Sequence, residues 1–141
     1  GINAGIMICN DDNFTDFSRS YGRKQTALVV VPTWDWQPVK NAHFQSSINR
    51  AIESNYAVIR ACYNGISAII SPRGEILKKM DHLKEGSGII TADVPLYSGI
   101  TLFSLLGHWP IVPCFIILLI YIEKEIRSRV SSVKHTKGLN T

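Results

Sequence analysis

An α/β domain with a hairpin-rich end is predicted by three features of the chain. It has apolar runs short enough for buried strands, a helical apolar face between two of them, and Gly-marked turns late in the domain. Its 141 residues, 45% hydrophobic and 18% charged, suffice for one domain with a real core.

The elements follow in order. AGIMICNDDNF, Ala4 to Phe14, opens with an apolar strand over Gly5 to Ile8. That strand runs into Cys9, a polar turn and a segment able to start a helix. LVVV, Leu28 to Val31, predicts a buried strand ended by Pro32. NAHFQSSINRAIESN predicts a helix with Asn41 as N-cap and Phe44, Ile48, Ala51, Ile52 and Asn55 on one largely apolar face. YAVIRAC and GISAIIS are strand runs joined through Asn64-Gly65, a hairpin signal. Pro72 and Gly74 then make a tight turn into another strand, and GSGIITADVP predicts a last strand ended by Pro95.

ITLFSLLGHWPIVPCFIILLIYI, Ile100 to Ile122, carries no charged residue over 23 positions, long enough to cross a bilayer as a helix. The helix is expected to start near Trp109 or Pro110, with Leu102 to Gly107 at the interface and Trp109 as an aromatic anchor. Lys124, Arg127 and Arg129 follow it, so the positive-inside rule puts the tail in the cytoplasm and the α/β domain on the other side. The expected parts are residues 1–98 as the α/β domain, 99–122 as interfacial segment and transmembrane helix, and 123–141 as a basic cytoplasmic tail.

Charge and cysteine use narrow the function. Residues 1–122 hold ten Lys/Arg and nine Asp/Glu, whereas residues 123–141 hold five and two. The basicity belongs to the tail, which removes most support for nucleic-acid binding. Cys9, Cys62 and Cys114 form no disulfide framework, and neither a Cys-x-x-Cys nor a His pair supports a metal site. Cys62 and Cys114 read as core and lipid-facing thiols. Gly1 lies a few residues before a strand, which is expected of a piece of something longer.

Cys9 has two readings. A thiol after an apolar run is commonly packing. A strand–Cys–turn–helix arrangement can also lift a sulfur to the carboxyl edge of a sheet, lower its pKa, and aim the Asn10 N–H at an oxyanion. The neighbouring Asp11-Asp12 pair would oppose thiolate formation unless a cation offsets it. These residues alone leave both readings open.

Taken together, the motifs resemble the carbon–nitrogen hydrolase (nitrilase) superfamily and specifically its membrane branch, the apolipoprotein N-acyltransferases. GIMIC followed by Asp11 resembles the nucleophile strand, and VVVPTWDW a segment whose tryptophan is matched by Trp36. HFQSSINRAIESNYAVIRACYNGISAIISPRGEI matches through Arg50 to Glu53, the Arg60 strand, Asn64 to Ser67 and the Pro-x-Gly turn. SGITLFSLLGHWP resembles the approach to a final membrane helix. Two positions depart from the pattern. Asn10 replaces an aromatic residue, and Pro32-Thr33-Trp34-Asp35-Trp36 keeps only the tryptophan of a Ser-Asn-Asp-x-Trp segment.

The resemblance implies the C-terminal half of a four-layer α-β-β-α sandwich followed by one membrane helix. It also implies a Glu–Lys–Cys triad with Cys9 as nucleophile. Glu and Lys would lie upstream, where residues 1–8 hold neither, and the missing N-terminal half of the domain is an expected partner. Lys24, Lys40 and Glu53 do not match the triad positions. Asn10 would supply a backbone oxyanion donor, Asp11, Trp36 and Asn64 would border the substrate pocket, and Arg50 and Glu53 would serve structure. His43 reads as a polar helix residue.

No cofactor is implied. The implied donor is a phospholipid and the acceptor a lipoprotein N-terminus at a bacterial inner membrane. Leu102, Phe103, Leu105 and Leu106 would pack at its surface. Two alternatives stand beside this reading: a membrane-tethered amidase- or nitrilase-like hydrolase, and a degenerate non-catalytic homologue.

Overall fold

The structure, a computed structural model, describes residues 1–137. It divides into two compact units, Gly1–Gly107 and a second that begins at His108. The first is built on a five-stranded sheet in sequence order: β1 (Ala4–Ile6), β2 (Leu28–Trp34), β3 (Ala57–Tyr63), β4 (Ile66–Ile70) and β5 (Ile76–Asp81). β1, β2 and β3 are parallel, while β3–β4 and β4–β5 are antiparallel. The change in sense has a local cause. Helices α1 (Thr15–Arg23) and α2 (Lys40–Ser54) carry the two crossovers, whereas the later strands are joined by short turns. Asn64 supplies one turn at φ 59° and Gly74 the other at φ 82°, where the Gly74 N–H donates to the Ser71 carbonyl at 2.9 Å.

Alternation along the strands sends one face into the core. Met7, Val29, Val31, Val58, Ile66, Ala68 and Ile70 pack there with Phe44 and Ala51 of α2 and with Tyr56. The helices meet through small residues. Ser18 of α1 lies 2.8 Å from both Ser54 Oγ and Tyr56 Oη, and Gly22 sits against Ser54 and Ser104. A fourth helix, α4 (Leu102–Leu106), follows the one-turn α3 (His82–Glu85). Arg23 Nε holds the Ser104 carbonyl of α4 at 2.9 Å.

Several expectations need correction. β2 does not stop at Pro32 but continues to Trp34. β1 pairs with it only as far as Val30, so at Pro32 that side of β2 is an edge and needs no N–H. α2 begins at Lys40 with Val39 as its cap, one residue before Asn41. Its buried residues are Lys40, Phe44, Ser47, Arg50, Ala51 and Ser54, while Ile52 is 51% exposed. Polar side chains are buried there because they have partners: Asp81 for Lys40, Asp12 for Ser47 and Ser18 for Ser54. Asn55 ends the helix at φ 56°.

Residues 88–101 form no strand. Ile90, Ala92 and Val94 are half-buried and alternate with exposed Thr91, Asp93 and Pro95. The period-two pattern is real, but extended backbone satisfies it without a hydrogen-bonded ladder.

A membrane span is not shown, although a helix does start one residue after the expected Pro110. The uncharged run is broken into α4, Gly107 at φ 59° and a new helix, α5 (Ile111–Lys137). The apolar part of α5, Ile111 to Ile122, is 12 residues. At ~1.5 Å per residue it reaches roughly 18 Å, short of the ~30 Å hydrocarbon core. Among the described residues no helix is long and apolar enough to cross a membrane. Cys114 is exposed on α5. The end of the expected basic tail, residues 138–141, lies outside the described residues.

Candidate active site

Because β1, β2 and β3 are parallel and in register, Ile6, Trp34 and Tyr63 end at one edge of the sheet. β4 starts and β5 ends at the same edge. The residues that emerge there build the site.

Cys9 is the first residue of a 3₁₀ turn, Cys9–Asn13, three positions beyond β1. Its φ is 51°, a left-handed conformation uncommon for a residue with a side chain. The thiol is half-buried, and its Sγ lies 3.8 Å from the Trp34 carbonyl of the neighbouring strand. Asn10 is exposed, and its side-chain oxygen accepts from Asn13 Nδ2 at 2.6 Å. Asp11 turns back to accept the Ile8 N–H at 3.0 Å, so its carboxylate closes the turn.

Asp12 points inward and is 1% exposed. It meets Arg60, the largest fully buried side chain of the protein among the described residues. Arg60 Nη1 donates to Asp12 Oδ2 at 3.0 Å and to Ser47 Oγ at 2.9 Å. Its Nη2 donates to Asp35 Oδ2 at 2.7 Å and its Nε to the Ile66 carbonyl at 3.2 Å. The Ser47 hydroxyl also donates to the Asp12 carboxylate. On the far side of Asp35, His43 Nδ1 lies 2.9 Å from Oδ1, and the Cys62 thiol donates to Oδ2 at 3.3 Å. One buried guanidinium thus joins four elements and answers the concern about the acidic pair: Asp12 is paired with a cation and Asp11 with a backbone N–H.

The carboxyls respond differently. Burial raises Asp12 above its ordinary value, against the lowering by Ser47 and Arg60. For Asp35 burial also works upward, but the His43 hydrogen bond and the Arg60 guanidinium together hold it below the ordinary range. Burial and the adjacent Asp35 push the Cys62 thiol up to about 11, which makes it an inert packing thiol.

Trp36 follows Asp35 and is 59% exposed, its ring edge-on to His43 at 6.1 Å between centroids. Asn64 is the left-handed corner of the β3–β4 hairpin, and a Cβ on the next residue, Gly65, would come within 2.7 Å of Asp35 Oδ2. Lys40 and Asp81 tie the start of α2 to the end of β5 at 2.6 Å. Arg50 and Glu53 pair with each other at 3.0 Å, about two turns beyond His43.

The fold therefore gathers Cys9, Asn10, Asp11, Trp36 and Asn64 at one edge and leaves Arg50 and Glu53 on the body of α2. A cleft of about 350 Å³ near that edge is walled by Pro32, Thr33, Tyr63, Met80 and His82, not by Asp11, Trp36 or Asn64. Sequence reasoning missed Asp12, Asp35 and Arg60 as a unit. The available signals were an arginine inside the apolar run YAVIRAC and an aspartate between Trp34 and Trp36. A charge in a buried strand calls for a partner, but spacing does not name it.

Comparison with known proteins bears on family and fold. The carbon–nitrogen hydrolase family matches over residues 1–100. Apolipoprotein N-acyltransferases are similar through most of the chain. That of Chlamydia trachomatis serovar D is 33% identical over 79% of this chain and 22% of its own length. That of Rickettsia bellii is 33% identical over 87% and 26%. The chain thus spans about a quarter of the length of these curated relatives.

Among solved structures, a variant of the amidase from Nesterenkonia sp. AN1 superposes with a TM-score of 0.53 at 21% identity. The match covers 57% of this chain and 35% of the amidase. A nitrilase-superfamily member from Saccharomyces cerevisiae gives 0.52 at 20% identity, over 55% and 33% of the two chains. These likenesses show a nitrilase-like α/β fold.

Proposed function

The chain belongs to the carbon–nitrogen hydrolase family, and on that premise we propose that it carries the nucleophile of an acyltransferase of the apolipoprotein N-acyltransferase type. The observation that carries the reading is the presentation of Cys9: a half-buried thiol held at φ 51° on the turn after a parallel strand, at the carboxyl edge of the sheet.

The Cys9 thiolate attacks an ester carbonyl of a membrane phospholipid, and the Asn10 N–H steadies the oxyanion. The carbon–oxygen bond breaks, and the lysophospholipid leaves as an alcohol after taking a proton. The amine of a lipid-modified cysteine at a lipoprotein N-terminus then attacks the thioester. An amide forms and the thiol is restored. Asp11 holds the turn closed, while Trp36 and Asn64 border the space for the substrates. The general base and the lysine that the family reading requires belong to the remaining length of such an enzyme, and both substrates place the reaction at a membrane. Leu102, Leu105 and Leu106, each at least 50% exposed, offer apolar contact with lipid.

The test is to supply the protein, isolated at its natural length, with an acyl-labelled phospholipid, with and without a lipopeptide amine. Labelled amide that appears only with the amine and disappears in Cys9→Ala is the expected result. Free fatty acid as the sole product would indicate a hydrolase, and no Cys9-dependent product would end the catalytic reading.

A further inference from the structure

The geometry points to Asp12 as the positioning residue through which the buried Arg60 fixes the backbone of the Cys9 turn, with Asp35 as the second arm of the same clamp. A left-handed conformation at a residue with a Cβ costs free energy and persists only where its surroundings over-determine it. The turn's own contacts are few. Asp11 accepts the Ile8 N–H, the Asp11 N–H meets the Ile8 carbonyl at 3.1 Å, and the Asn10 and Asn13 side chains pair on the exposed side. All of these link the turn to itself or to the residue before it.

Asp12 is different. It fastens the turn to β3 through Arg60 and to α2 through Ser47, both fully buried. Arg60 has no freedom to follow a moving turn. Its Nε is held by the Ile66 carbonyl and its Nη2 by Asp35, and its side chain is 0% exposed. Asp35 in turn anchors the end of β2, where its own N–H donates to the Tyr63 carbonyl at 2.9 Å. The clamp therefore fixes the turn bearing Cys9 and the strand end bearing the Trp34 carbonyl from one rigid cation. Those are the two groups whose 3.8 Å contact orients the thiol.

As a positioning device this rests on the acyl-transfer reading of Cys9, but its structural arm is tested separately. Amide hydrogen exchange is measured by mass spectrometry on peptides covering residues 9–14, 28–34 and 57–63. Measurements are made in the unmodified protein, Asp12→Ala and Asp12→Asn. Asp12→Ala should speed exchange in residues 9–14 by about tenfold or more while leaving the two strand peptides unchanged. Asp12→Asn keeps an acceptor oxygen for Ser47 and Arg60, so it should restore most of the protection. If Asp12→Ala does not fold, Ser47→Ala is read instead and should speed exchange in residues 9–14 in the same direction, since it removes one of the two donors to the Asp12 carboxylate. Unchanged exchange in the turn, or faster exchange spread equally over the strands, overturns the inference.

The second readout is acylation of Cys9 by p-nitrophenyl butyrate, in which the thiolate displaces p-nitrophenolate and the mass of the protein rises. A loosened turn should lower the maximal rate and leave the half-saturating ester concentration in place. A shift in the half-saturating concentration alone would assign Asp12 to substrate binding and overturn the positioning role. Failure of the unmodified protein to acylate would remove the functional reading, while the exchange result still decides the clamp.

Discussion

At the scale of single residues, Arg60 dominates. Its guanidinium compensates two carboxylates that are 1% and 0% exposed, so its removal leaves buried charge without a counterion. Arg60→Met should cost about 3–5 kcal/mol, read as a lower urea midpoint with little change in slope. A loss below about 1 kcal/mol would mean that the carboxylates take up protons or water instead. The position of Cys9 was legible in the sequence: an apolar run, a thiol and a polar turn are local features, and Cys9 stands on the turn after β1 where they put it. The clamp was not legible. Asp12, Asp35 and Arg60 are 23 to 48 residues apart, and only the parallel pairing of β2 and β3 brings them together. Asp11 and Asp12 are adjacent and chemically identical, yet one closes its own turn and the other is buried. That difference depends on which way the turn rolls onto α2.

At the scale of elements, the packing of α1 on its neighbours depends on Gly22. A Cβ there would overlap the Ser104 hydroxyl and meet Ser54 Cβ at 3.0 Å, so α1 could keep its contact with α2 or with α4 but not both. Gly22→Ala should destabilise by about 1–3 kcal/mol, despite alanine's better helix propensity, and thermal melting checks the sign. A stabilised protein would show that α4 moves away without penalty. The strands and hairpins from Leu28 to Asp81 were legible because apolar runs and turn residues are short-range signals. The errors came where a partner decided the outcome. Ser47 and Ser54 took core positions on α2 because hydroxyl and guanidinium partners waited there, while Ile52 was left at the surface. In the uncharged run from Ile100 to Ile122 the start of the last helix near Pro110 was legible, while the short helix α4 before it was not. Gly107 at positive φ ends α4, and a hydropathy sum does not register where one helix stops and the next begins.

At the scale of the whole molecule, the two buried carboxylates give stability an uneven pH dependence. Asp35 is held below the ordinary carboxylate value of about 3.9, so its contribution is present above that pH and is lost as the pH falls through the lower folded value. Asp12 is raised, so its ionisation opposes folding. Acidification through its folded value toward about 4 should therefore add stability. Urea midpoints taken between pH 7 and pH 2 should first rise and then fall, and Asp12→Asn should remove the rise but keep the fall. Identical profiles for the two proteins would contradict this account.

The connectivity also sets an order in time. β1 has three residues and a single neighbour, β2, which begins only at Leu28, and Arg60 lies 48 residues beyond Asp12. As the chain leaves a ribosome Cys9 emerges before Arg60, and the Asp12–Arg60 contact cannot form until β3 has been made and docked. The β3–β4–β5 meander, linked by tight turns, can form from local contacts, and the crossovers close later at a greater entropic cost. The conformation that presents Cys9 is therefore reached only in the last steps of folding, and a chain that stalls before β3 docks carries the thiol without its presentation.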